Sequence, residues 1–169
     1  NDLTVEEKES ILKRMNPLPN QQVFFSTIQY DTPYRLFENT PIDLQGKNLL
    51  LVCGIAKPET LVRHLQASSK AVHTLSYPDH HYFVTKDLEE IQTTFKNWEG
   101  EEKLIVTTEK DAARLHLHQE KLQSWKLPIA VQPIKIEILF NEEARLNATL
   151  LQYVATTLEE HHSYQHLTD

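Results

Sequence analysis

The hydrophobic positions change period along the chain, and the changes mark its elements. Near the start, Thr4 and Glu7 stand at capping-box spacing and Ile11, Leu12 and Met15 follow on one helical face until Asn16-Pro17, which predicts a short peripheral helix. Residues 23–30 (VFFSTIQY) are rich in β-branched and aromatic residues and lie between two proline-containing breakers, so they read as a strand. Residues 33–46, with Pro33, Pro41 and Gly46, read as a connector. The expected division is therefore residues 1–45, the end of an amino-terminal domain with a β linker, and residues 46–169, a carboxy-terminal α/β domain.

Beyond Gly46 the pattern alternates between strand and helix. Residues 48–55 form a continuous apolar run of the kind a strand buried on both faces requires, and Pro58 suits the first position of a helix with Leu61, Val62 and Leu65 facing inward. Residues 71–77 predict a second strand, stopped by Pro78. Thr85 can cap a helix carrying Leu88, Ile91, Phe95 and Trp98 at helical spacing and ended by Gly100. Residues 103–107 predict a third strand, and Thr108 with Asp111 repeats an N-cap arrangement. Residues 129–138 predict a fourth extended segment in which Pro133 signals an edge or a bulge. Asn141 then caps a last helix with Leu146, Leu150, Tyr153, Val154 and Leu158 inward. This alternation predicts an α/β fold, a three-layer α/β/α sandwich with a mostly parallel sheet, preceded by the amino-terminal helix and β linker.

Composition narrows the function classes. The 169 residues carry 17 Lys plus Arg against 24 Asp plus Glu, a net charge of −7, which argues against a nucleic-acid platform. The single cysteine, Cys53, cannot form an internal disulfide and fits a reducing compartment. No apolar run approaches the roughly 20 residues that span a bilayer. The chain begins at Asn1 without Met and without a basic-then-apolar leader, so no signal peptide is expected and the sequence reads as a piece of a longer protein. With glycines only at 46, 54 and 100, neither G-x-x-x-x-G-K-[ST] nor G-x-G-x-x-G can be written, so this piece alone is not a P-loop enzyme.

In an open parallel sheet ligands bind beyond the carboxyl ends of the strands. Three such ends carry polar residues here: Gly54-Ile55-Ala56-Lys57-Pro58-Glu59, Tyr77-Pro78-Asp79-His80-His81 and Thr107-Thr108-Glu109-Lys110-Asp111. Asp79-His80-His81 is the sharpest signal, because a carboxylate beside an imidazole can orient it, fix its tautomer or share a metal; a plain surface loop is the other reading. Thr108 to Asp111 also reads as a capped helix start with dipole-favoured acids. Lys110 opposes that dipole, which suits it to an anion or a partner carboxylate. His116 and His118 read as the polar side of a short segment. His161, His162 and His166 read as a solvated tail, with His162 and His166 spaced to share a metal.

Taken in order, Val23-Phe24-Phe25-Ser26, Gly54-Ile55-Ala56-Lys57-Pro58-Glu59, Tyr77-Pro78-Asp79-His80-His81 and Thr108-Glu109-Lys110-Asp111-Ala112 resemble the carboxy-terminal half of the tetraacyldisaccharide 4'-kinase family. The resemblance runs over residues 3–125 and weakens beyond. It implies a two-domain kinase whose amino-terminal α/β domain holds the P-loop and magnesium-binding acids, joined by a β linker to the smaller α/β domain represented here. Such an enzyme transfers the γ-phosphoryl group of ATP to the 4'-hydroxyl of tetraacyldisaccharide 1-phosphate, at the cytoplasmic face of the bacterial inner membrane. The implied site residues are His80, which assists an aspartate base of the other domain, and its neighbour Asp79.

The implied cofactors are ATP and Mg2+ in the full-length enzyme, with neither expected to bind tightly to this piece. The implied partners are the missing amino-terminal P-loop domain and the lipid A disaccharide precursor, with peripheral membrane association mainly through the missing half. Isolated, the piece is expected to be soluble and inactive. Two other readings remain: a metal-dependent phosphoesterase with Asp79, His80 and His81 as ligands, and a stand-alone non-catalytic binding domain.

Overall fold

A computed structural model describes residues 3–165, with side chains described through residue 157. The chain divides into two compact units, residues 30–134 and residues 1–29 with 135–169. The connector, residues 33–46, lies within the larger unit, and the extended segment 129–138 is divided between the two.

The larger unit is built on a five-stranded sheet. Its strands are β2 (Tyr34–Arg35), β3 (Asn48–Cys53), β4 (Ala71–Ser76), β5 (Lys103–Thr108) and β6 (Ile129–Gln132), in the order β2-β6-β5-β3-β4. β1 (Ser26–Tyr30) lies outside this sheet. The pairs β3–β4, β3–β5 and β5–β6 are parallel, and only β2 runs antiparallel, on β6. All six residues of β3 are buried, which is what its unbroken NLLLVC run requires of a strand covered on both faces.

Side chains alternate across that sheet. Leu50, Val52, Ile105 and Ile129 face a layer formed by α3 (Thr85–Asn97), α4 (Glu109–His116) and α5 (Gln119–Ser124), where Leu88, Ile91, Leu115 and Leu122 are buried. Leu49, Leu51, Leu104, Val106 and Ala130 face the opposite way, against Leu61 and Leu65 of α2 (Glu59–Gln66) and Leu44 of the connector. The unit is therefore the expected three-layer α/β/α sandwich. Cys53 is a free thiol in the second layer, and burial pushes it above its ordinary pKa, as suits an inert core residue.

Because the connection after β3 leads to one edge and that after β4 returns past β3 to β5, the strand order reverses between β3 and β5. Their carboxyl ends flank the crevice that such a reversal leaves.

The smaller unit contains α1 (Val5–Met15), most of β1 and of β7 (Ile134–Ile138), which form a two-stranded sheet, and α6 (Glu143–Gln165). Thr4 and Glu7 make the predicted capping box: the Thr4 N–H donates to the Glu7 carboxylate at 2.8 Å and the Glu7 N–H to the Thr4 hydroxyl at 3.2 Å. Arg145 lies 4.4 Å over the Phe24 ring, and Lys8 pairs with Glu142 at 3.0 Å.

Several expectations are corrected. The segment 129–138 is two strands of different sheets, because Pro133 lacks the N–H that a continuous ladder needs. The connector contributes β2 to the edge of the main sheet. Thr85 is the first residue of α3, and the Val84 N–H ahead of it is held by the Asp87 carboxylate at 2.8 Å. Asn141 does not cap α6: Phe140 and Asn141 have φ of 61° and 56°, a left-handed turn instead of the extended backbone an N-cap adopts. Leu150, Tyr153 and Val154 are exposed within their unit. The side chains of Leu158, His161, His162 and His166 lie outside the described residues.

Ile105 is fully buried at the centre of the sheet, so Ile105→Ala is expected to cost about 2–5 kcal/mol in urea unfolding. A loss below about 0.5 kcal/mol would contradict this core assignment.

Candidate functional site at the carboxyl edge of the sheet

The three polar strand ends meet at Gly54, immediately after β3. Its N–H donates to Asp111 Oδ2 at 2.9 Å. A Cβ at Gly54 would lie 3.0 Å from the Pro78 carbonyl oxygen, 3.3 Å from Asp111 Oδ1 and 3.4 Å from His81 Cβ. Glycine is thus required by close approach: the loop after β4 and the start of α4 both occupy space that a side chain would fill.

Asp111 is fully buried, and a buried carboxylate must be paired. Besides Gly54, it accepts from the Thr108 hydroxyl at 2.8 Å, and Arg114 lies 3.4 Å from its Oδ1. The Thr108 hydroxyl in turn accepts from the Asp111 N–H at 3.2 Å, so the predicted N-cap of α4 is present. The reading of Asp111 as a first-turn acid captures half of its role. Its bond across the sheet to Gly54 was not readable from local spacing, although an acid at the third helical position after a threonine cap marks where to look.

Lys110, one residue earlier, reaches the loop after β4 and pairs with Asp79 Oδ1 at 2.5 Å. Of the two roles open to this lysine, the structure supplies the partner carboxylate. Asp79 Oδ1 also accepts from the His80 N–H at 2.9 Å, while its Oδ2 stands 3.7 Å from His80 Nε2. The hydrogen bond from Lys110 holds Asp79 below the ordinary carboxylate range, with burial opposing and the His80 N–H assisting. His80 itself has φ 62° and a side chain that is 77% exposed. It projects its ring from the loop while its neighbour is tied down.

His81 turns the other way. Its Nε2 lies 2.8 Å from Asp87 Oδ2, and its ring stacks on Tyr77 at 4.8 Å and meets Phe83 edge-on at 5.3 Å. Burial pushes the Asp87 carboxyl up, but the Val84 N–H and His81 outweigh it, so its pKa is lowered. Burial, reinforced by Glu90, pushes the Tyr77 hydroxyl well above its ordinary range. His81 therefore fastens the loop to α3. His118 contributes to the same end, donating from Nε2 to the Phe83 carbonyl at 2.8 Å.

The structure thus brings Asp79, His80 and Lys110 together and directs His81 elsewhere. Asp79, His80 and His81 do not converge as metal ligands, and among the described residues no group of three or more His, Cys, Asp or Glu side chains is placed to hold a metal ion. No helix of the described residues is long and apolar enough to cross a membrane.

A family model for tetraacyldisaccharide-1-P 4'-kinase matches residues 3–155, beyond residues 3–125 over which the motifs alone carry the likeness. The chain is 38% identical over 156 residues to a tetraacyldisaccharide 4'-kinase of Bacteroides thetaiotaomicron, covering 85% of this chain and 41% of the relative. It is 36% identical over 152 residues to that of Bacteroides fragilis, covering 85% and 40%. The kinase of Flavobacterium johnsoniae is 31% identical over 160 residues, covering 94% and 43%. The chain thus spans about two fifths of the length of these curated relatives. No solved structure matches it significantly.

Gly54→Ala is expected to destabilise the larger unit by about 1–3 kcal/mol, because the new methyl would crowd the Pro78 carbonyl oxygen 3.0 Å away. An unchanged unfolding midpoint would show that the three loops are not tightly apposed. The lowered pKa of Asp87 means that its contribution to stability is present above its ordinary value of 3.8 and is lost as pH falls through its folded value. Asp87→Asn is therefore expected to flatten the fall in stability below pH 4, measured by unfolding at a series of pH values. An acid slope as steep as that of the wild type would contradict this.

Proposed function

The chain belongs to the tetraacyldisaccharide 4'-kinase family, and we propose that it is the carboxy-terminal part of an enzyme that transfers the γ-phosphoryl group of ATP to the 4'-hydroxyl of tetraacyldisaccharide 1-phosphate. The reaction belongs to lipid A biosynthesis and takes place at the cytoplasmic face of the bacterial inner membrane. The observation that carries the assignment of a site is the loop after β4, where Asp79 is anchored and His80 is presented at the carboxyl edge of the sheet.

With glycines only at 46, 54 and 100, this chain cannot supply a P-loop for the nucleotide. The nucleotide, the magnesium ion and the base are assigned to the amino-terminal part of the full-length protein. In this reading the exposed imidazole of His80 hydrogen-bonds the aspartate base of that part and shares the proton taken from the acceptor hydroxyl. Asp79 fixes the ring's approach without leaving its own loop.

The smaller unit supports the same arrangement. Leu150, Leu151, Tyr153 and Val154 of α6 are more than half exposed, and four apolar residues within five positions of one helix suit cover by more protein. The amino-terminal part of the same polypeptide is the proposed cover. Peripheral attachment to the membrane is likewise assigned mainly to that part.

In the full-length enzyme, His80→Ala is expected to lower kcat roughly a hundredfold with near-normal affinity for ATP. Unchanged transfer would leave His80 a structural loop residue. The isolated chain is expected to transfer no phosphoryl group above a no-protein control, and clear transfer would overturn the assignment of the base and nucleotide site to the missing part.

A further inference from the structure

We infer that Lys110 is a positioning residue for the reaction, holding Asp79 so that His80 is presented toward the reaction centre. The inference rests on the reading of His80 given above and adds a residue to it.

Three observations carry it. Lys110 sits in the first turn of α4, where a cation opposes the helix dipole, so its position is unfavourable for helix stability alone. It crosses to another loop, 31 residues earlier in sequence, and binds the carboxylate beside His80. Its own backbone is fixed, because the next residue is Asp111, buried and bonded to Gly54 at the end of β3. Lys110 and Asp111 therefore form adjacent clamps: one holds the end of β3, the other holds the loop after β4, and both start from the same helical turn.

The local charges make the effect readable. Asp79 is faced by Lys110 from α4 and by His80 from its own loop. Asp111, next along α4, faces Gly54, Thr108 and Arg114 instead, and His81 faces Asp87. With the ammonium present, the Asp79 charge is shared between two partners. Without it, the loop after β4 loses its tie to α4 at Asp79.

The test uses the full-length enzyme and compares Lys110→Met, Lys110→Arg and His80→Ala in phosphoryl transfer from MgATP. Lys110→Met is expected to lower kcat about tenfold with little change in KM for ATP. Lys110→Arg restores a cation and is expected to recover most of the lost kcat. Thermal unfolding of each variant separates this from a folding defect: lost activity accompanied by a lower Tm, with no recovery in Lys110→Arg, overturns the inference. A wild-type rate in Lys110→Met, with His80→Ala impaired, overturns it while leaving the role of His80 intact. Full activity in His80→Ala removes the underlying reading and the inference with it.

Discussion

The site depends on one buried ion. Asp111 lies at the start of α4 with no exposed surface, and its carboxylate is satisfied by the Gly54 N–H, the Thr108 hydroxyl and Arg114. A charge in that position is stable only while all its partners hold their places, so it converts a loose meeting of loops into a fixed one. The constraint spreads outward from there. Gly54 is drawn so close that a Cβ there would crowd Pro78, Asp111 and His81, and the loop after β4 is set against α4. Lys110 can then reach Asp79, and His80 is left projecting from an anchored base.

The surrounding fold explains why these loops can meet. β3 lies between β4 and β5, buried on both faces, and its carboxyl end is the point where strand order reverses. Residues from the ends of three adjacent parallel strands are thereby gathered on one edge, each fed into a helix by its own loop. His81 and His118 then fasten the β4 loop to the layer beneath, through Asp87 and the Phe83 carbonyl. Of two adjacent histidines, one is spent on holding the loop and the other is left exposed.

Much of this was legible from residue spacing. The apolar run at 48–55 read as a strand covered on both faces, and Leu88, Ile91, Phe95 and Trp98 read as one face of a helix. Elements set by long-range contact were not legible. A two-residue strand such as Tyr34–Arg35 has no period, and exists because β6 offers it an edge. Pro133 signalled an interruption but not that the two halves would join different sheets. The apolar stripe of α6 was read as inward because spacing reports a face, not what covers it.

At the site, Asp79-His80-His81 and Lys110 stood out by composition, and the partnership of Lys110 with a carboxylate was one of two roles its charge allowed. Spacing could not distinguish His80 from His81, because their difference lies in the positive φ at His80, which turns consecutive side chains apart. Nor could it reveal the Asp111–Gly54 bond, whose partners are 57 residues apart.

The most direct measurement of the central claim is a structure of the full-length enzyme with a non-hydrolysable ATP analogue and tetraacyldisaccharide 1-phosphate. The account predicts His80 within hydrogen-bond reach, roughly 2.6–3.2 Å, of a carboxylate from the amino-terminal part that also faces the acceptor hydroxyl, with Asp79 still paired to Lys110. A closed, substrate-bound structure in which the His80 ring points to solvent, away from both the carboxylate and the acceptor, would contradict it.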